Sequence, residues 1–153
     1  FLLRKKPLSE AAGLRHCSGW TVGFCAFGAV GLYVLVSLVL ALLPESWMEE
    51  YGKAMRLSTE TGLISALAVV AGAPLAEELV FRGIIQQLAR PLGERQAVAL
   101  QAVLFAVQHR GPAGMAYALV CGLGLGWLAD RTGHLWPGML LHSANNLLVL
   151  AMG

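Results

Sequence analysis

The stretch "APLAEELVFRG", residues 73–83, decides how this chain folds. It places Glu77, Glu78 and Arg82 in the middle of an apolar segment spanning residues 61–90. Read as a helix, Glu78 and Arg82 fall at i and i+4, on one face and in the favourable order for an ion pair. Glu77 is rotated about 100° away, toward a different neighbour. An ionisable group in a membrane helix costs on the order of 2.5–3.5 kcal/mol, so it turns inward and finds partners. The segment is therefore expected to sit in a helix bundle with its charges shielded from lipid. Pro74 is expected to kink it. Pro91 and Gly93 are expected to end it.

Composition agrees. The chain has 153 residues, 57% hydrophobic and 13% charged, with a mean hydropathy of +0.65. Soluble domains average nearer 45–50% apolar and about 25% charged, so the lipid bilayer is the expected partner. A net charge of +2 is too small to point to nucleic acid. The chain starts at Phe1 rather than Met and reads as a fragment or a processed product. "FLLRKKP" is not a signal peptide, because its charges follow the apolar residues. Cys17, Cys25 and Cys121 have no metal-type spacing and read as small buried hydrophobes.

Outward from the opening stretch, residues 20–43 carry no charge and are long enough to span a bilayer. Residues 45–60 are acidic. Trp47 and Tyr51 suit an interfacial helix there, and Ser58 or Thr59 is a candidate cap for the next helix. Residues 96–109 are apolar but, at ~1.5 Å per residue, reach only about 21 Å of a roughly 30 Å core. The break "HRGPAG" that follows is therefore expected inside the membrane, buried in protein or lining a wet cavity. Residues 113–129 and 134–152 complete five hydrophobic segments. Gly122, Gly124 and Gly126 read as a small-residue face for close packing. The chain divides into an N-terminal part, 1–60, and a core, 61–153.

Arg4, Lys5, Lys6, Arg15, Arg90, Arg95 and Arg131 fall on one side of this arrangement, with Lys53, Arg56 and Arg110 on the other. The excess places the N-terminal stretch and the 90–95 loop in the cytoplasm. A bacterial inner membrane is the expected location.

Inside the apolar segments the polar residues are Glu77, Glu78, Arg82, Gln101, Gln108, His109, His142, Asn145 and Asn146. At ~1.5 Å per residue, Glu77, His109 and Asn146 lie about 18–20 Å from the cytoplasmic ends of their segments, and Arg82 and His142 about 12 Å, so three segments bring polar groups to a similar slab of the membrane. Phe105 and His109 are spaced i,i+4, as are His142 and Asn146. Singly, each has a bland reading: a structural ion pair for Glu78–Arg82, satisfied core histidines for the imidazoles.

Together, "EELVFR", "FAVQH" and "HSANN" follow in order on successive apolar segments. They resemble the CPBP family of CAAX-prenyl-protease and bacteriocin-processing (Abi-type) membrane proteins, over roughly residues 60–150. The resemblance implies an all-α polytopic transmembrane bundle with a catalytic cavity between helices, and an intramembrane glutamic endopeptidase. Carried over, Glu77 activates water with the help of His109, and His142 and Asn146 form the oxyanion hole. Glu78, Arg82 and Phe105 support the site. The substrate would be a peptide or membrane protein, prenylated in some members. No cofactor is expected, although a catalytic Zn²⁺ held by Glu and His stays open. Two other functions also stay open: a non-catalytic immunity or scaffolding protein, and a proton-coupled transporter, since intramembrane Glu and His build proton relays too.

Overall fold

A computed structural model describes residues 19–59 and 62–152. The basic N-terminal stretch, His16 and Cys17 lie outside the described residues. Among the described residues there are six helices: α1 (Gly19–Leu40), α2 (Glu45–Thr59), α3 (Leu63–Leu92), α4 (Glu94–Val107), α5 (Gly111–Thr132) and α6 (Trp136–Met152). No strand occurs among the described residues. α1, from Val22, together with α3 and α5, is long and apolar enough to cross a membrane. α4 and α6, with 14 and 17 residues, are shorter. Large apolar side chains such as Trp20, Phe27 and Ile64 are exposed on the outside. That is the pattern of a bundle solvated by lipid rather than water.

α2 is amphipathic. Met48, Tyr51 and Met55 are partly buried, at helical spacing, while Glu49, Glu50 and Lys53 are exposed. Glu45 in its first turn and Arg56 in its last complement the helix dipole. Ser58 and Thr59, expected as caps for the next helix, belong instead to α2. α3 starts at Gly62, whose φ of 91° suits a residue with no Cβ.

α3 is not a uniform α-helix. Ala68–Gly72 and Glu78–Ile85 are π-helical. The disturbance expected at Pro74 therefore takes the form of a wide turn just before the proline. This relieves the clash of its ring with the carbonyl four residues back. α3 ends in a tight turn over Arg90–Leu92 and at Gly93, where φ is 113°.

α4 and α5 pack most extensively. Their close approach depends on Gly122, where an added Cβ would come within 2.9 Å of Ala102 Cα, and on Gly126, where it would strike the Gln101 amide. Gly124 points elsewhere, toward Leu32 of α1. The expected three-glycine face is therefore a pair spaced i,i+4, with the third glycine serving another neighbour. The break between α4 and α5 is covered by α2: a Cβ at Gly111 would lie 3.6 Å from Glu50 Oε1 and one at Gly114 would lie 3.7 Å from the Tyr51 ring.

Candidate active site

Glu78 and Arg82 are wholly buried, and Arg82 Nη1 lies 3.0 Å from Glu78 Oε1. The expected pair is present, and Glu78 does more than pair. The same Oε1 lies 3.1 Å from His142 Nδ1, so one carboxylate ties α6 to α3. α6 comes this close because residue 138 is glycine; a Cβ there would sit 2.8 Å from Glu78 Oε2. A carboxylate accepting from Nδ1–H fixes the orientation of the imidazole. Its Nε2 then turns toward Glu77, whose Oε2 is 3.7 Å away. Glu77 is partly exposed, as its rotation by one residue requires, and faces a cavity.

Arg82 is also braced from α5. Its Nη2 donates to Gly122 O at 3.4 Å, and its guanidinium carbon lies 4.6 Å from the centre of the Phe105 ring. Phe105 is fully buried and is a hub. Its ring makes edge contacts with Phe81, His109 and His142 at 5.0, 4.7 and 5.9 Å. His109 Nδ1 lies 2.8 Å from Phe105 O. A carbonyl only accepts, so Nδ1 carries a proton, and Nε2 is the acceptor in the neutral form of the ring.

On α6, Asn146 Nδ2 donates to Val69 O of α3 at 3.0 Å. Tyr117 of α5 donates its hydroxyl to Asn146 Oδ1 at 3.3 Å and accepts from Asn145 Nδ2 at 2.6 Å. Asn145 thus serves packing, as its adjacent face suggests.

The polar groups meet in a cavity of about 220 Å³, lined by Glu77, His109, His142 and Asn146 together with Tyr117 and, from α2, Tyr51 and Met55. Valine, alanine and leucine side chains from α3 and α6 complete the wall. Of the polar residues picked out in the sequence, Gln108 is exposed and lies outside this group. Gln101 is buried and donates to Gly122 O at 2.7 Å.

Three participants escaped the sequence reading. Gln86 donates to Gly126 O at 2.9 Å, and it continues the i,i+4 row Glu78–Arg82–Gln86, which was the available signal. Tyr117 had only its hydroxyl, in a helix apolar up to its last turn, to mark it. Val69 contributes a backbone carbonyl and leaves no trace in side-chain chemistry. Among the described residues no three His, Cys, Asp or Glu side chains are grouped so as to hold a metal ion.

Apolar helices around a buried polar cavity define an integral membrane helical bundle with a candidate hydrolytic centre. The model of the type II CAAX prenyl endopeptidase Rce1-like family matches residues 59–148, which contain all three motifs, and the chain belongs to that family. Neither a curated protein nor a solved structure is significantly similar to it.

Proposed function

We propose that this chain, by its family a CAAX-protease-like membrane endopeptidase in general terms, hydrolyses peptide bonds by a glutamate-activated water, without a covalent acyl intermediate. The observation that carries this reading is the convergence of Glu77 from α3, His109 from the break after α4, and His142 and Asn146 from α6 on one cavity.

A water between Glu77 and His109 gives one proton to the carboxylate and directs the other to His109 Nε2. Its lone pair is then free to attack the scissile carbonyl carbon. Glu77 acts as general base, a role worth typically 10²–10⁴-fold. The carbonyl oxygen becomes an oxyanion. His142, doubly protonated, donates Nδ1–H to Glu78 and keeps Nε2–H for that oxygen. Asn146 supplies a second donor from Nδ2. Donors fixed before the reaction stabilise the charge without reorganising. Glu77 then returns its proton to the leaving nitrogen as the C–N bond breaks. No metal takes part in this scheme. The substrate is a peptide or membrane protein that reaches the cavity from the membrane surface, along the wall formed by α2.

The test uses purified protein in detergent and a quenched fluorescent peptide ending in a farnesylated CAAX sequence. Glu77→Gln is expected to lower kcat by about 10²–10⁴-fold with KM little changed, and His142→Ala by about 10²–10³-fold. Cleavage is expected to continue in strong chelators. Turnover that survives both substitutions sinks the assignment, and loss to chelators alone would bring a metal into the mechanism.

A further inference from the structure

Asn146 is held by something local to the opening stretch. Its amide has two chemically different ends, and the network decides which faces where. Val69 O can only accept, so the end facing it is Nδ2. Oδ1 then faces Tyr117, whose hydroxyl must donate to it. With its proton committed, the Tyr117 oxygen accepts from Asn145 Nδ2. One backbone carbonyl thus sets the direction of the whole chain Asn145–Tyr117–Asn146–Val69.

A carbonyl in mid-helix is normally occupied by the N–H four residues on. For Val69 that donor is Ala73, but Ala73 N–H donates to Ala68 O, five residues back. In the π-helical register the donor to Val69 would be residue 74. That residue is proline and has no N–H. Val69 O is therefore denied both donors that a helix would supply. An acceptor so stripped is costly to leave unpaired, which makes it a strong anchor for a side-chain donor.

We infer that Pro74 and Tyr117 are positioning residues for the oxyanion donor. Pro74 frees the Val69 carbonyl that binds one N–H of Asn146, and Tyr117 locks the other end of the amide, so the second N–H projects in a fixed direction. This rests on the reading of Asn146 as an oxyanion donor. The π-helical turn is then part of the site, and the proline sits three residues before Glu77 because one helix must supply both the base and the anchor.

Two double-mutant cycles test it, read by Tm in detergent and by kcat on the farnesylated CAAX peptide. In the wild-type background Asn146→Ala leaves Val69 O without a donor and lowers Tm. In the Pro74→Ala background the turn regains its α-helical register and Ala73 N–H takes that carbonyl, so Asn146→Ala lowers Tm less. Equal shifts in the two backgrounds overturn the inference. Tyr117→Phe is expected to lower kcat about tenfold with KM unchanged, and to cost nothing further once Asn146→Ala is present. A tenfold loss that persists in the Asn146→Ala background also overturns it. Coupled Tm shifts alongside a full kcat in Asn146→Ala support the positioning of Asn146 and overturn instead its reading as an oxyanion donor.

Discussion

Glu77 and Glu78 are adjacent, chemically identical, and placed in opposite circumstances. Glu78 is sealed between Arg82 and His142, while Glu77 looks into the cavity. Their substitutions should therefore separate. Glu78→Gln leaves Arg82 as a buried, unpaired charge, and removing one partner of such a pair costs about 3–5 kcal/mol. Its expected signature is a large fall in Tm with activity lost alongside. Glu77→Gln should keep its Tm and lose turnover. A Glu78→Gln protein as stable as the wild type would show that the pair contributes little to holding α3. The i,i+4 spacing announced the Glu78–Arg82 pair in the sequence, because it is a property of one helix. The bond from Glu78 to His142, 64 residues away, was not readable there. It depends on how α6 is rotated against α3, which Gly138 permits.

The elements show the same division. The helical segments and the break at "HRGPAG" followed from apolar run lengths and from Gly and Pro. The π-helical turns of α3 did not, because a Pro signals a disturbance without saying what form it takes. Nor did the sequence sort the glycines of α5. Gly122 and Gly126 carry the contact with α4, and the carbonyls bared by their missing side chains accept from Gln101 and Gln86. Gly122→Val should force α5 from α4 and destabilise by about 1–3 kcal/mol or more, whereas Gly124→Ala, which would meet only Leu32 at ordinary contact distance, should be nearly neutral. Thermal melts of the two proteins check this. Similar losses at both positions would mean that α5 packs symmetrically on its two neighbours.

For the whole molecule, the cavity lies at the α2 end of the bundle, between the first half of α3, the end of α4, the start of α5 and the end of α6. Arg90, Arg95 and Arg131 lie toward the other end, and Arg4, Lys5, Lys6 and Arg15 precede α1 in the sequence. Because an excess of Lys and Arg generally lies on the cytoplasmic side, we propose that the cavity mouth opens away from the cytoplasm. In a background with Cys17, Cys25 and Cys121 replaced, Lys53→Cys should react with a membrane-impermeant maleimide in intact cells. Arg95→Cys should react only after permeabilisation. The reverse pattern would put the mouth in the cytoplasm.

By itself the sequence determined that this is a helical membrane protein, that its charges must turn inward, and which polar side chains are candidates for the site. Those features follow from periodicity, from the cost of charge in lipid and from motifs written along single helices. Only the tertiary structure decided that Glu78 holds His142, that Gly122 rather than Gly124 meets α4, and that a carbonyl freed by Pro74 orients Asn146. Each of these is a contact between different helices. Its partner is fixed by helix rotation and close approach, quantities that no local spacing specifies.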